Sequence, residues 1–312
     1  MLQRIDDHTI VGYRYSTGWA KGQKVYFAAR FSHPIASHLF LDDSVHTTDQ
    51  AFGSQSKMLL QFDQLTVLTV QVSLSSVTTD KALQELNHPK RATDFESVRR
   101  TATEKWETEL QKIQIDTIDR ALATRFYTAL YRTCMAPVTH SDRNGAYQTW
   151  DNKIKTFNKG NAKYTIFSQW DVFRALSPLF TITQTNRVPD LINSLLQRYE
   201  DDGLLPVWDI STWEANTMTG YHSIPIIADA ILKNIQGFDY ERAYQAMRAS
   251  AIQKQRGTPA YIEYGYVPQD KHGWSVTMTL EYAFDDWCIA QVAKKLGKTE
   301  DHNLFTKRAG SF

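Results

Sequence analysis

Hydrophobic and polar residues follow a strand-like pattern between residue 9 and about residue 79. Three segments there are rich in β-branched and aromatic residues and are separated by clusters of Gly, Ser, His and Pro: TIVGYRYSTGW, QKVYFAARFS and LLQFDQLTVLTVQVSLSSV. In the third segment the two faces consist of Val67, Thr69, Gln71 and Ser73, and of Leu68, Val70, Val72 and Leu74. This alternation predicts a half-buried antiparallel strand. The first segment has no strand partner before it, so we expect an incomplete sheet.

After Asp80 the pattern changes to the period of α-helices. The segment DFESVRRTATEKWETELQKIQI is charged at nearly every solvent-facing position and has a sparse apolar stripe, which predicts a linker helix with modest burial. The next segment, DTIDRALATRFYTALYRTCMAPV, predicts a core helix that Pro137 ends. Its apolar positions recur at helical spacing and are Ile118, Leu122, Phe126, Ala129, Leu130 and Thr133.

Helical periodicity continues to the end of the chain, with no segment between the helices that predicts a strand. The predicted helices span roughly 169–182, 187–200, 220–235, 239–255 and 275–296, and a last one begins near 299. Long loops rich in aromatic residues, Gly and Pro alternate with short ones, a pattern typical of helical hairpins stacked in a ring. The fold class is therefore mainly α with an N-terminal β part, and functional residues are expected on the long loops.

Composition excludes several classes of partner. The 312 residues include 35 basic and 34 acidic side chains, so no excess charge favours nucleic acid. No apolar run reaches the roughly 18 residues that a membrane helix needs. The first 19 residues show no apolar segment followed by a small-residue cleavage site, so we expect no secretory signal within this chain. Cys134 and Cys288 lack the spacing of a zinc site and are interpreted as buried thiols, with a disulfide as the alternative.

Two of the long loops place aromatic and acidic residues directly before helices. In the first, Asp171 beside Trp170 either caps the following helix or accepts hydroxyl groups of a sugar. In the second, Trp208, Trp213 and Glu214 precede His222. Either tryptophan could offer an apolar face to a pyranose ring, and packing within a long loop is the structural alternative.

A third candidate lies on one face of the predicted helix 275–296. Glu281 and Asp285 are four residues apart, so two like charges share that face and repel each other. A compensating Arg or Lys, a sugar or a cation such as Ca²⁺ is expected nearby, and a salt-bridged structural cluster is the alternative. No nucleophile elbow, phosphate-binding loop or metalloprotease His pair is present in the sequence.

Four long stretches together resemble glycoside hydrolase family 92, the calcium-dependent exo-acting α-mannosidases. They are GYRYSTGWAKGQKVYFAARFS, FSQWDVFRALSPL, GLLPVWDISTWEANTMTGYHSIPIIADAILKNI and GYVPQDKHGWSVTMTLEYAFDDWCIAQVAKKLGK. The resemblance implies the end of a β-sandwich at 1–80, a linker helix at 81–115 and about half of an (α/α)6 barrel at 116–312, with the active site where the two domains meet. It also implies Ca²⁺-dependent hydrolysis of terminal α-linked mannose with inversion, by an acid and a base about 6.5 to 9.5 Å apart.

The chain departs from the family pattern at its catalytic motifs. The family's Thr-Glu-Gly-Asn, Asp-Cys-Gly-Gln and Gly-Asn-Glu-Pro types of segment, which supply the acid, the base and metal contacts, are absent from residues 1–312. The resemblance assigns sugar contact to Asp171 with Trp170 and to the Glu214 loop, and a structural role to Glu281, Asp285 and Asp286. The catalytic residues and most of the calcium site are expected outside this chain.

The expected function is therefore that of one part of an α-mannosidase, inactive alone. The expected partners are an α-mannoside glycan and the remainder of the same protein, in the periplasm or outside the cell. Two alternatives stay open, a shortened mannose-binding protein that acts like a lectin and another inverting (α/α)6 glycosidase related to glucoamylase or trehalase.

Overall fold

The structure is a computed structural model that describes residues 1–41, 45–46, 49–63, 66–89, 91–92, 94–157, 160 and 162–311. The strands are β1 (Leu2–Arg4), β2 (Thr9–Ser16), β3 (Gln23–Phe31), β4 (Ser37–Phe40), β5 (Val45–His46), β6 (Gln50–Phe52), β7 (Met58–Gln61), β8 (Val70–Ser75), β9 (Val138–Thr139), β10 (Ala146–Gln148), β11 (Ile154–Thr156), β12 (Tyr164–Thr165), β13 (Phe167–Ser168), β14 (Trp208–Ile210) and β15 (Trp213–Glu214). The helices are α1 (Thr79–Leu86), α2 (Phe95–Leu110), α3 (Arg120–Thr133), α4 (Gln169–Val172), α5 (Leu176–Thr183), α6 (Val188–Asp202), α7 (Ser223–Leu232), α8 (Tyr240–Ala251), α9 (Thr258–Tyr264), α10 (Ser275–Lys295) and α11 (Thr299–Ala309). The predicted class, mainly α with an N-terminal β part, is confirmed.

The chain forms two compact units. One comprises Met1–Ala123 and Ser141–Thr156, and the other comprises Thr124–His140 and Phe157–Phe312. The predicted domain ranges 1–80, 81–115 and 116–312 stay a prediction.

The first unit is built on an antiparallel sheet with the strand order β5-β6-β1-β2-β3-β8. Strand β1 precedes β2 and pairs with it from Leu2 with Gly12 to Arg4 with Ile10, so the expectation of no strand partner before the first segment was wrong. Strands β2 and β3, both predicted as strands, pair from Thr9 with Arg30 to Ser16 with Gln23. Helix α1 packs against β2, β3 and β8, and Ala82 and Leu86 from the helix meet Val11 and Ala28 from the sheet. Strands β4 and β7 form a separate two-stranded sheet, so the third predicted segment contributes to two sheets.

Strand β8 is antiparallel to β3 as predicted, but its buried face is the polar one. Val70, Val72 and Leu74 are 45%, 49% and 63% exposed, whereas Ser73 and Ser75 are buried. Ser73 Oγ donates to the carbonyl of Ala82 in α1 at 2.5 Å, so small hydroxyl side chains let the helix approach the strand closely. Alternation alone finds the strand and cannot say which face is covered.

The predicted linker range 81–115 holds most of α1 and all of α2. Asp94 caps α2 by accepting from the backbone N–H of Ser97 at 2.8 Å, and no residue of α2 is buried. Helix α3 ends before Pro137 as predicted, but it is not a core helix, since none of its residues is buried. Leu122 is 45% exposed, whereas Phe126 and Leu130 of the same apolar stripe are half-buried.

The second unit has its core where α6, α7, α8 and α10 pack together. Its fully buried side chains include Ile192, Leu195, Ile224, Met247 and Ile289. The predicted helices after 187 correspond to α6, α7, α8, α10 and α11, and the predicted helix 169–182 is divided into α4 and α5. Helix α9 and the short strands β9 to β15 lie in segments predicted as loops, so the prediction of no strands there was wrong.

The two cysteines are free thiols. Cys288 is buried as predicted, whereas Cys134 is only half-buried. Among the described residues, no helix has the length and apolarity needed to cross a membrane.

Candidate functional site

Helix α4 is a single turn that is attached to α10 through Trp170. The indole Nε1–H of Trp170 donates to Glu281 Oε1 at 2.9 Å, and the Arg174 guanidinium lies 3.5 Å from the same oxygen. The other oxygen of Glu281 accepts a short hydrogen bond from the Thr219 hydroxyl. Glu281 is 8% exposed, so its charge is held by these donors rather than by water.

His222 lies between the two carboxylates that share one face of α10. Its Nε2 is 3.1 Å from Glu281 Oε2 and its Nδ1 is 2.9 Å from Asp285 Oδ1. Asp285 also accepts from the backbone N–H of Tyr221 at 2.9 Å and is fully buried. The compensation expected for the like charges is therefore present, and its main source is a histidine, with Arg174 as a second cation.

Burial and charge act in opposite directions on these groups. Burial alone would lower the pKa of His222, but Asp285 and Glu281 outweigh it and raise the pKa to about 9. Burial would raise the pKa of Glu281, but the hydrogen bonds from His222, Thr219 and Trp170 lower it overall. At neutral pH the cluster holds an imidazolium beside an ionised carboxylate.

Asp286 belongs to a separate buried layer. Its Oδ1 accepts from the Tyr221 hydroxyl at 2.9 Å, and Arg308 Nε from α11 donates to its Oδ2 at 2.7 Å. Burial raises the pKa of Asp286 to about 7, although Arg308 and Tyr221 oppose the shift. The Tyr221 ring stacks on Tyr282 with a centroid separation of 4.4 Å. Asp286 is fully buried, so its role here is to join α11 to α10, as the resemblance implies.

The loop before His222 adopts an unusual backbone conformation. Ser211, Thr212, Asn216 and Met218 have positive φ angles of 50°, 67°, 51° and 66°. Such conformations disfavour residues with a Cβ and are kept only where neighbouring contacts impose them. Arg256 holds two of these residues, since its Nη2 donates to the carbonyl of Met218 at 2.7 Å and its Nη1 makes a short hydrogen bond to Asn216 Oδ1. The backbone N–H of Ser211 donates to Thr165 Oγ1 at 2.7 Å instead.

Gly220 lets this loop approach the histidine. Its φ is +71°, and a Cβ at this position would lie 2.3 to 2.9 Å from atoms of the His222 ring. Only glycine combines this backbone conformation with the required space.

The structure separates Asp171 from the buried cluster. Asp171 is exposed, and its carboxylate makes no hydrogen bond or ion pair within the described part of the chain. Helix α4 begins at Gln169 after Ser168, so Asp171 lies in its first turn and is not the N-cap residue. The capping interpretation is therefore wrong, and the role in sugar binding stays a prediction.

The predicted residues of the second loop divide into different environments. Trp208 is 8% exposed and Trp213 is half-buried. Glu214 accepts from the backbone N–H groups of Val207, Trp208 and Asn216 at 2.7, 3.0 and 2.7 Å, so it holds the β14–β15 turn. His222 is 1% exposed, which keeps a sugar from its ring. Direct sugar contact by Trp208, Trp213 and Glu214 stays a prediction, and the geometry favours packing.

An apolar cavity of about 160 Å³ lies beside α5 and α6. Its walls include Pro137, Phe167, Leu176, Phe180 and Leu195. Few polar groups line it, so it offers little to the hydroxyl groups of a sugar.

The donor set does not fit a calcium ion. Ca²⁺ takes about six to eight oxygen ligands. The oxygens of Glu281 and Asp285 already accept from indole, hydroxyl, imidazole and amide donors. Among the described residues, no group of three or more His, Cys, Asp or Glu side chains is arranged to hold a metal.

The sequence indicated parts of this cluster and missed others. Glu281 and Asp285 were found through their spacing, but Thr219, Phe173 and Arg256 gave no signal. Thr219 is 62 residues away from Glu281 in sequence, and no periodicity links them.

Comparisons with known proteins extend over the whole chain. The sequence model described as the glycosyl hydrolase family 92 catalytic domain matches residues 81–312, and that of the family's N-terminal domain matches residues 1–75. A curated relative, an uncharacterized secreted glycosidase of Arthroderma benhamiae, is 25% identical over 268 residues, which is 79% of this chain and 30% of the relative.

Two solved structures share this fold. A family 92 α-mannosidase of Bacteroides thetaiotaomicron is 37% identical, with a TM-score of 0.95, over 100% of this chain and 44% of that one. It has also been solved in complex with mannoimidazole. A family 92 inverting mannosidase of the same organism is 27% identical, with a TM-score of 0.91, over 99% of this chain and 44% of that one. This chain therefore spans less than half of the length of these relatives.

Proposed function

Because the chain belongs to glycosyl hydrolase family 92, we propose that the protein containing it removes terminal α-linked mannose from glycans by hydrolysis with inversion. Two relatives that align with nearly all of the chain are named as an α-mannosidase and as an inverting mannosidase, and both names support the proposal. The resemblance inferred from the loop sequences is confirmed at the level of the family.

Within this function, Trp170 and Asp171 are proposed to bind the terminal mannose. The observation that carries this assignment is the exposed Asp171 carboxylate, which has no hydrogen-bond donor within the described residues. A free carboxylate accepts hydroxyl groups of a sugar, and an indole offers an apolar surface to its C–H groups. The bond from Trp170 to Glu281 fixes the turn that carries both residues.

The 312 residues alone are proposed to bind without hydrolysing. Inversion needs a carboxylic acid and a carboxylate on opposite sides of the scissile bond. The buried carboxylates are committed to other partners, since Glu281 and Asp285 bind His222 and Asp286 binds Arg308. Glu214 holds three backbone N–H groups. The acid, the base and any calcium ligands are therefore proposed to come from other parts of the polypeptide.

The direct test uses the full-length protein with an aryl α-mannoside. We expect release of the aryl group with β-mannose as the first product, and Asp171→Asn should raise KM far more than Asp151→Asn, a matched change on a hairpin of the first unit. Absence of hydrolysis by the full-length protein would contradict the proposal. Hydrolysis by the 312 residues alone would contradict the location of the catalytic pair.

Titration of mannose into the 312-residue chain distinguishes the proposed hydrolase from a second candidate function, mannose binding without hydrolysis. Saturable binding there with no hydrolysis by the full-length protein would support the lectin-like alternative, for which the free Asp171 carboxylate would also serve. Export from the cytoplasm is proposed from the name of the Arthroderma benhamiae relative, a secreted glycosidase. Fractionation of the native cells, with an antibody to the protein, tests this location.

A further inference from the structure

We propose that His222, as a buried cation held between two carboxylates of α10, positions helix α4 for sugar binding. The inference rests on the proposed function, in which Trp170 and Asp171 of α4 contact mannose. It replaces the sugar contact predicted for His222, whose side chain is 1% exposed.

The geometry of the imidazole requires the protonated form. A neutral imidazole has one N–H donor and one acceptor nitrogen, whereas the imidazolium has two donors. Both ring nitrogens of His222 face carboxylate oxygens, at 3.1 Å for Glu281 and 2.9 Å for Asp285. With a neutral ring, one nitrogen lone pair would face a carboxylate oxygen in the protein interior. With both carboxylates ionised, only the imidazolium satisfies both contacts at once.

Hydrogen bonds through Glu281 connect the Nε2 edge of the His222 ring to α4. One oxygen of Glu281 meets His222 and the other accepts from Trp170 Nε1. The imidazolium therefore fixes the rotation of the carboxylate, and the carboxylate fixes the indole. Trp170 and Asp171 are neighbours in one turn, so the constraint on the indole extends to the exposed carboxylate.

The ring face of His222 reaches the end of the same turn. Phe173, which caps the C-terminus of α4, stacks on the imidazole with a centroid separation of 3.9 Å and an interplanar angle of 15°. The guanidinium of Arg174 lies 4.3 Å from the centroid of the Phe173 ring. Helix α4 is thus attached to His222 at both ends, by a hydrogen-bonded edge and by a stacked face.

The surroundings keep the charge in place. His222 is the N-cap residue of α7, where the helix dipole disfavours a cation, and burial disfavours it further. The charged groups that face His222 are Glu281 and Asp285 from α10, with Arg174 on the α4 side of Glu281. Tyr221 contributes its backbone N–H to Asp285. Two buried carboxylates outweigh the opposing effects, so the cation persists through neutral pH.

The protonation state can be measured without any activity. In the full-length protein with ¹⁵N-labelled histidine, both nitrogens of His222 should resonate at imidazolium positions at about pH 7.5, where an ordinary histidine is mostly neutral. The signal is assigned by its loss in His222→Gln. In Glu281→Gln, which keeps a carbonyl oxygen for Trp170, the histidine should lose its proton at a lower pH.

The positioning role is measured by kinetics and by the indole signal. His222→Gln should lower kcat/KM by at least about tenfold, which corresponds to about 1.4 kcal/mol. The effect should come mainly from a higher KM. The wild-type rate should fall as pH rises through about 9, and this alkaline decrease should disappear in His222→Gln. The Trp170 indole N–H resonance should shift in the same variant. The control is His33→Gln, an exposed position in the first unit.

Each outcome bears on one proposal. A neutral His222 at about pH 7.5, or an unchanged indole resonance in His222→Gln, would overturn the positioning role whether or not mannosides are hydrolysed. Retained kcat/KM with the alkaline decrease intact would overturn it as well. Absence of wild-type hydrolysis, with an imidazolium and a shifted indole, would refute the proposed function and leave the attachment of α4 to His222 supported.

Discussion

Raising the pH through 9 should remove a definite amount of stability that His222 contributes. Its pKa rises from 6.5 in the unfolded chain to about 9 in the folded protein. A group whose pKa is higher in the folded than in the unfolded protein stabilises the folded state fully when the pH is below the unfolded pKa. This contribution is lost as the pH rises through the folded pKa. The window is therefore pH 6.5 to about 9.

The magnitude follows from the shift. One pKa unit corresponds to about 1.4 kcal/mol, so a shift of about 2.5 units gives roughly 3 kcal/mol. His222 is 1% exposed, so solvent screening reduces this value little. Near pH 8 the folded protein holds the proton and the unfolded chain does not, so the free energy of unfolding should fall by somewhat more than about 1 kcal/mol per pH unit.

The assay is urea-induced unfolding of the wild-type protein and of His222→Gln between about pH 6 and pH 9.5. The difference between the two free energies of unfolding removes the titrating groups that contribute equally to both proteins. It retains His222 together with the effect of His222 on the pKa of Glu281. Asp286, whose pKa is raised from 3.8 to about 7, lowers the free energy of unfolding of both the wild type and the variant as the pH rises from 3.8. Cys288 and the buried tyrosines, whose pKa values burial raises, act similarly at the alkaline end.

A difference that shrinks by roughly 3 kcal/mol across this window is the expected result. A difference independent of pH would refute the reasoning, since it would mean that His222 carries the same charge in both states. A difference that grows with pH would show that burial lowers the pKa of His222 more than the carboxylates raise it.

Four further predictions test the surroundings of the site. Gly220→Ala should destabilise by about 2 kcal/mol or more, because a Cβ would meet the His222 ring at 2.3 to 2.9 Å, and urea unfolding measures the loss. Arg256→Met should destabilise by about 2 to 3 kcal/mol and speed proteolysis of residues 211–220, whereas Arg99→Met on exposed α2 should change neither. Asp171→Asn should leave the free energy of unfolding within about 0.5 kcal/mol of wild type while weakening mannoside binding. Calcium or a chelator should leave the melting temperature of the 312-residue chain unchanged, and a rise with calcium would show that the described residues do hold the ion.

The local hydrophobic pattern of the sequence was sufficient to predict the main strands and helices. Alternation located β2, β3 and β8, and helical periodicity located α6, α7, α8 and α10. Most of these elements bury an apolar face, whereas β8 shows the alternation although its buried face is the polar one. The short strands β9 to β15 and the seven-residue helix α9 carry too few residues for any period to be visible.

The site was only partly predictable because its contacts are distant in sequence. The spacing of Glu281 and Asp285 predicted that something compensates their charges, and this was confirmed. The identity of the compensating group was missed, because His222 is 59 residues from Glu281 and its motif resembles any histidine at a helix start. Phe173 is also distant from His222 in sequence, so the stacking of the two rings was missed as well.

The dependence of α4 on α10 follows from its length. A helix of four residues cannot form alone in water, because fixing the first turn is unfavourable until further hydrogen bonds repay it. Neither its N-cap residue Ser168 nor its C-cap residue Phe173 supplies a side-chain hydrogen bond to the turn. The energy that orders α4 must therefore come from contacts outside it. These include the bond of Trp170 to Glu281, the stacking of Phe173 on His222, and the buried side-chain amide of Gln169, which contacts Ser223 Oγ. Under the proposed role of Asp171 in sugar binding, its carboxylate is as rigid as the buried cluster beneath α4, so changes at His222 should alter mannose affinity without touching the sugar.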